Sequence, residues 1–243
     1  MIAMIISAVV AAVQGIGGPS EERTADIECV YEYRTSDDKG REDVYSTILQ
    51  VGKRSAKFVD YSTFQLDSAR TSGASEDQVE AFRLREEKKA QYFDYAIFQN
   101  EPAGNMTVYG TIISDRYSYT EDSKAMKWTL ADDEKTICGY QCHKAECEYG
   151  GRKWTAWYSQ DIPVSYGPWK LCGLPGLILA AEDSDGANKF EAIILRNGAS
   201  AITPVSDKNI ATTTIEKFVK AKNMFESDPM GNLPPESISE MSI

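Results

Sequence analysis

Along most of the chain, short runs rich in Tyr, Val, Ile and Thr alternate apolar and polar positions, separated by Gly, Asn, Asp and Ser. The runs are Ile27–Arg34, Val44–Val51, Lys57–Ser62, Tyr92–Gln99, Met106–Ile113, Arg116–Thr120, Met126–Leu130, Lys135–Glu148, Lys153–Gln160, Leu177–Glu182 and Lys189–Leu195. Such regular spacing predicts a mainly β fold with minor α. Its core would be a large curved antiparallel sheet, a meander rolled into a half-barrel or barrel, with one or two packed helices. Turn chemistry joins neighbours: Glu101-Pro102-Ala103-Gly104-Asn105 suits one hairpin and Gly150-Gly151 the next long one. In the strand before that second turn, Tyr140, Cys142, Lys144 and Glu146 share one face, and Gln141, His143, Ala145 and Cys147 the other.

Two segments carry helical spacing instead. Ala74 to Ala90 is charge-dense, with Val79, Phe82 and Ala90 as a thin apolar stripe and Arg83/Glu87 at supportive spacing, which predicts a surface helix or a mobile excursion. Thr213 and Glu216 form a capping-box pattern ahead of Ile215, Phe218, Val219 and Lys222, predicting a helix from Thr213 to Phe225 that packs on the sheet. Beyond it, residues 228–243 are Pro- and Ser-rich without periodicity and read as a flexible tail. At the other end, residues 1–18 carry no charge and are too short and too rich in small residues for a spanning helix. They read as a secretory signal peptide, although the usual basic start is missing. What remains, 19–227, is expected to be one β-rich domain, with no spanning membrane helix once the signal is removed.

Composition narrows the chemistry. The 243 residues hold 26 basic and 37 acidic side chains, a formal charge of −11, and one His. An acidic chain lacks the basic face that nucleic acid or an anionic lipid surface requires, so no nucleic-acid partner is expected. A single His excludes any two-His metal site, and neither a phosphate-cradling Gly loop nor a Gly-x-Ser-x-Gly elbow occurs. No metal, no cofactor and no catalytic residue is assigned. Export implies an oxidising compartment in which Cys29, Cys138, Cys142, Cys147 and Cys172 are able to pair, with at least one left over. Cys138 and Cys142, read as four residues apart in one strand, stand about 13 Å apart at strand rise and cannot bridge each other.

The densest chemistry lies between Ile137 and Ile178. Three of the four Trp (Trp154, Trp157, Trp169) fall within sixteen residues, with Tyr158 and Tyr166 among them. Pro175-Gly176 suits a type II turn with Gly at φ > 0, and Gly173 suits a close backbone approach. Two readings fit this aromatic, Gly- and Pro-rich stretch: the rim of a ligand groove, or a conformationally demanding core corner. As a groove, it offers Arg152, Trp154, Trp157, Tyr158, Trp169 and Lys170 as candidate ligand-binding residues, the two cations facing an anionic headgroup. His143 has Cys142 on the opposite face of its strand, so the two form no nucleophile–base pair, and a cross-strand partner such as Tyr158 or Gln160 is expected.

The run Gly-Pro-Trp-Lys-x-x-Gly-Leu-Pro-Gly-Leu-Ile at 167–178 resembles the signature of the GLPGLI family, exported proteins of Gram-negative bacteria without a settled biochemical activity. Upstream, Ile137, Gly139-Tyr140, Cys142 and Lys144-Ala145 resemble the family's central strand. Gly151-Arg152, Ala156-Trp157-Tyr158 and Asp161-Ile162-Pro163 resemble its hairpin partner, and Tyr119, Glu121 and Trp128 match scattered positions before it. The motif residues Gly139, Tyr140, Cys142, Gly167, Pro168, Gly173, Leu174, Pro175, Gly176, Leu177 and Ile178 are expected to be structural. A weaker fold-level resemblance links the pattern to LolA/LolB-like periplasmic carriers, in which a half-barrel encloses acyl chains. These resemblances imply an exported protein of the periplasm or cell envelope. The expectation is a non-catalytic binding or interaction protein for an apolar or amphipathic small molecule or lipid, or for an envelope protein partner. The alternative is a periplasmic hydrolase with a site near the Trp cluster and His143.

Overall fold

The computed structural model describes residues 23–37, 39–86, 93–205 and 209–228. The proposed signal peptide and the tail after residue 228 lie outside them. Twelve strands form one sheet: β1 (Ile27–Ser36), β2 (Glu42–Val51), β3 (Ala56–Asp60), β4 (Tyr95–Gln99), β5 (Asn105–Ile112), β6 (Asp115–Asp122), β7 (Thr129–Ile137), β8 (Tyr140–Tyr149), β9 (Arg152–Ser159), β10 (Leu177–Asp183), β11 (Asn188–Asn197) and β12 (Ile210–Thr212). Their order is β12-β6-β5-β4-β3-β2-β1-β11-β10-β9-β8-β7. The protein is therefore mainly β, an open curved sheet with its ends unjoined rather than a closed barrel. Every pairing is antiparallel except β12 with β6. A parallel partner cannot be reached by a tight turn. The chain after β11 accordingly crosses the sheet, bridging Thr24 through Ala201 on its way to β12.

The alternation written in the sequence sorts side chains to two faces. Cys29, Tyr31, Leu49, Phe58, Ile97 and Val108 point to the face that carries the main core, here termed inner. Val30, Ile48 and Val59 point to the outer face and pack under Phe64. A second outer cluster joins Ala25, Phe98 and Ile202. Each fully buried aliphatic or aromatic side chain in these clusters contributes about 1.5–3 kcal/mol, which is why the one-residue register of each strand is firmly set.

Among the described residues three α-helices accompany the sheet. The helix α1 (Tyr61–Thr71) was not anticipated: its sequence is polar, and Phe64 is its only buried residue. It forms because Asp60, the last residue of β3, caps it by accepting from the Ser62 amide at 2.8 Å. The expected strand Lys57–Ser62 therefore ends two residues early. The charge-dense segment gives α2 (Glu76–Glu86), with no buried residue. Arg83 pairs with Glu80 at 2.6 Å, and Glu87 to Ala90 lie outside the described residues. The last helix, α3 (Ile215–Ser227), is capped by Thr214 rather than Thr213, accepting from the Lys217 amide. Two strand readings are also corrected. Lys135–Glu148 is not one strand, because Cys138 (φ 50°) and Gly139 (φ 82°) make a two-residue turn between β7 and β8. Met126 precedes β7, after a 3₁₀ turn at Ser123–Ala125. The hairpins at residues 101–105 and Gly150-Gly151 close as expected. Among the described residues no helix is long and apolar enough to cross a membrane.

Phe218 docks α3 on the inner face against Tyr95, Tyr117 and Tyr119, with ring centroids 6.3, 6.1 and 5.2 Å away. This contact needs Gly110, where an added Cβ would meet Phe218 Cζ at 2.6 Å and Tyr95 Cε1 at 2.9 Å. Gly110→Ala is expected to cost about 1–3 kcal/mol by overpacking, read as a lower urea midpoint with an unchanged denaturant slope. Wild-type stability in this variant would show that α3 does not dock here.

Candidate functional site

The stretch from Gln160 to Gly176, between β9 and β10, folds back over the inner face and fills it. Ile162, Leu171, Cys172 and Leu174 are all buried in the main core. The sheet holds this loop through its backbone. The buried Gln99 of β4 donates from Nε2 to the carbonyls of Gly167 (2.8 Å) and Trp169 (2.7 Å). The Trp128 indole donates to the Cys172 carbonyl at 2.8 Å, and the Tyr31 hydroxyl to the Ile178 carbonyl at 2.7 Å. Lys170 reaches under the loop to an ion pair with Glu121 of β6, donates to the Tyr119 hydroxyl at 3.1 Å, and lies 5.3 Å from the Trp169 ring centroid. Glu121 also accepts from the Tyr149 hydroxyl at 2.8 Å. Burial pulls the Lys170 ammonium below its ordinary range even with Glu121 against it, and burial pushes the Tyr119 and Tyr149 phenols up.

The two turn glycines exchange their expected roles. Gly173 has φ 94° and only Trp128 near its Cβ position, whereas Gly176 shows no positive φ but has the Ser159 carbonyl 2.1 Å from where a Cβ would stand. Gly176 thus lets two backbones touch, and Gly173 supplies the left-handed conformation. Gly167 makes a similar close approach, to Ile178 and the Leu171 carbonyl. Pro168 and Leu174 are buried, as are Leu177 and Ile178 at the start of β10, while Pro175 is exposed and Gly139 sits in the β7–β8 turn with Tyr140 beside it.

Of the six candidate ligand-binding residues, Trp154, Trp169 and Lys170 pack together inside the core, and Arg152 stands apart in an ion pair with Asp183. Trp154, Tyr158 and Lys170 are core side chains, 3%, 2% and 6% exposed. Trp154 packs on Trp169 at 5.5 Å, and Trp169 on Tyr149 at 5.8 Å. Trp157 pairs across strands with Lys144 and Ala180 and lies under the Lys135 ammonium at 4.4 Å. Arg152 is held by Asp183 at 2.6 Å. Each cation expected to face a headgroup already has a buried or half-buried carboxylate. His143 stands beside Tyr158 as expected and touches Glu134 at 3.3 Å.

All five thiols are free, and Cys138 alone is exposed. Burial pushes Cys29 and Cys172 up to about 12 and Cys142 and Cys147 up to about 11, so none is a nucleophile near neutrality. The strand-rise argument against a Cys138–Cys142 bridge fails, because Cys138 sits in the turn and not in β8. No cluster among the described residues offers three metal-ligating side chains.

An open cavity of about 380 Å³ lies instead on the outer face, between α1, β3–β6 and the crossing chain near residue 204. Val59, Leu66, Ala96, Pro204 and Val205 form its apolar wall, and Lys57, Asp67, Arg70, Asp94 and Arg116 its charged edge. Lys57, 2% exposed, donates to Asp67 Oδ2 and to Thr203, both at 2.9 Å. Arg70 stands 3.9 Å from Asp67, and Asp94 is 3.7 Å from Lys222 of α3. Burial raises the Asp94 carboxyl, offset by Lys222. Sequence reading missed this site because α1 was unrecognised. The available signal was Lys57 between apolar neighbours on a strand, a charge that must find a buried partner.

The fold and these two faces define a class: open single-sheet β proteins whose inner face is filled by their own Gly- and Pro-rich loop. The resemblance to the GLPGLI family holds, since residues 150–180 match the model of a family described as "Protein of unknown function (Porph_ging)". No curated protein matches the chain in sequence. Two solved structures of PNGF-II, in P21 and C2 space groups, share 14% identity at a TM-score of 0.56, covering 82% of this chain and 33% or 32% of theirs. The chain thus spans about a third of those proteins, and the likeness is one of fold. The LolA superfamily protein NE2245 from Nitrosomonas europaea aligns at a TM-score of 0.30 with 10% identity, over 76% of this chain and 89% of that one.

Removing one partner of the buried Lys170–Glu121 pair should cost about 3–5 kcal/mol, and removing both much less. Urea unfolding of Lys170→Met is expected to show that loss, with Lys170→Met/Glu121→Met regaining most of it; equal losses in single and double variants would show that the charges do not depend on each other. A thiol-reactive chromophore at pH 8 should label one cysteine in the native protein and five in denaturant. Two or more fast native sites would contradict the buried thiols.

Proposed function

We propose that this is an exported, non-catalytic binding protein of the periplasm or cell envelope, and that its ligand is a small amphipathic molecule held in the outer-face cavity. The observation that carries this reading is the division of the two faces. The inner face, where the aromatic cluster would have formed a groove, is occupied by the chain's own residues 160–176. The outer face keeps a cavity of about 380 Å³, within the span of about 300–1,000 Å³ usual for small-molecule sites. Its apolar wall and charged edge suit a molecule with an apolar body and a polar end. Export rests on the apolar, uncharged residues 1–18 and on the family resemblance.

The test is to fill the cavity. Ala96 lines it from β4, a strand position that accepts an aromatic residue. Ala96→Phe should abolish binding of an uncharged fluorescent apolar probe such as N-phenyl-1-naphthylamine, with an unfolding free energy no more than about 3 kcal/mol below wild type. A probe bound equally by wild type and Ala96→Phe would overturn the assignment of the cavity.

A further inference from the structure

We propose that the outer-face cavity selects anions, binding an alkyl carboxylate or alkyl phosphate with its headgroup on Arg116 and its apolar body against the wall near Ala96. This inference rests on the reading of the cavity as the ligand site. The argument is one of charge pairing. Two carboxylates and three cations line the cavity. Asp67 is taken by the buried Lys57 at 2.9 Å, a bond that Thr203 shares. Asp94 has Lys222, which comes from outside the lining, at 3.7 Å. Arg70 lies at the limit of ion-pair distance from the already paired Asp67, 3.9 Å. The Arg116 guanidinium feels Asp94 electrostatically but makes no hydrogen bond or ion pair with any described residue, its backbone alone being paired, in the β6 ladders. Each carboxylate thus has a closer ammonium of its own, and the cavity is left with unneutralised guanidinium charge.

A guanidinium presents a planar fork of donors that matches a carboxylate or phosphate in two parallel bonds. A half-buried Arg facing a cavity rather than solvent gains more from such a partner than an exposed one, because the surrounding low dielectric strengthens the contact. The pattern is also notable for its setting. The protein carries −11 overall, so excess acidic groups are abundant, and yet none of the described ones forms an ion pair with Arg116. The apolar wall, from Val59, Leu66 and Ala96, gains nothing from a fully hydrated inorganic ion. The cavity therefore favours an anion with an apolar body over a bare anion.

Calorimetric titration of the full chain at low salt with hexanoate, hexyl phosphate, 1-hexanol and inorganic phosphate tests this. The expected result is binding of hexanoate and hexyl phosphate at least about tenfold tighter than 1-hexanol or inorganic phosphate, a ratio that one charge-assisted contact supplies. Arg116→Gln should remove that advantage while leaving 1-hexanol binding and the unfolding midpoint unchanged; Arg70→Gln, on the opposite edge, serves as a second variant should Arg116→Gln fold poorly and is expected to weaken the anions less. Binding of 1-hexanol as tight as hexanoate, unaltered in Arg116→Gln, would overturn the anion selectivity while leaving the cavity as the site. Inorganic phosphate binding as tightly as hexyl phosphate would overturn the role of the apolar wall. Failure of all four probes, with N-phenyl-1-naphthylamine also unbound, would overturn the cavity reading itself.

Discussion

The docking of residues 160–176 onto the inner face depends on polar bonds made where water is absent. Gln99 gives both protons of its amide to loop carbonyls, and Lys170 carries a charge into the core to meet Glu121. A buried ion pair of this kind adds little net stability, because desolvating two charges costs nearly what their attraction returns. Its effect lies in specificity. With Lys170 inside, any arrangement that lifts the loop off β6 leaves a carboxylate and an ammonium unpaired in apolar surroundings, at a cost of several kcal/mol. Nearby apolar residues, Leu171 and Leu174, would tolerate a shifted loop; the charges would not. The aromatic stack of Trp154, Trp169 and Tyr149 then closes around a loop position already chosen.

That constraint decides what each face is free to do. An open sheet has two faces to cover, and the described residues provide one long loop and three helices with which to cover them. The loop and α3 take the inner face, with Phe218 and the loop's own side chains completing one continuous core. On the outer face α1 covers Val30, Ile48 and Val59 through a single buried residue, Phe64, and the crossing chain near residue 202 covers Phe98. The two meet at one point, where the Thr203 hydroxyl donates to Asp67 of α1 at 2.6 Å. The cavity is the gap between two small clusters, and its lining includes both apolar and charged side chains.

Much of the sheet was legible because alternation with a period of two is a local signal, which β5 carries plainly. The GLPGLI loop was legible as a demanding segment for a similar reason: Trp, Pro and Gly in close succession restrict the backbone wherever they occur. Its fate was not. Whether Trp154 and Tyr158 line a groove or a core depends on a covering segment, and the decisive groups for that, Gln99 and Glu121, lie some fifty to seventy residues away in sequence and resemble any other polar residues on strands. Likewise α1 has a polar composition that a 3.6-residue pattern cannot pick out, since one buried Phe64 is enough to seat it. The cavity combines residues of α1, β3, β4, β6 and the crossing chain, a grouping fixed only by the strand order.

The exchange of roles between Gly173 and Gly176 shows how far such local reading reaches. Turn chemistry identifies where glycine is required, since both removing a Cβ and permitting positive φ demand the same residue. It does not distinguish the two demands, because one is set by the loop's own path and the other by what lies against it. At Gly176 the constraint is the Ser159 carbonyl of β9, a contact that exists only because β10 leaves the loop antiparallel to the strand that entered it. The motif that names the family is therefore a record of one backbone crossing, and the same crossing places Lys170 over Glu121. Arg152 follows the same logic at the far end of β9, where Asp183 of β10 meets it. In both places a basic residue of the matched segment is taken up by an internal ion pair, Arg152 tying β9 to β10 and Lys170 tying the loop to β6.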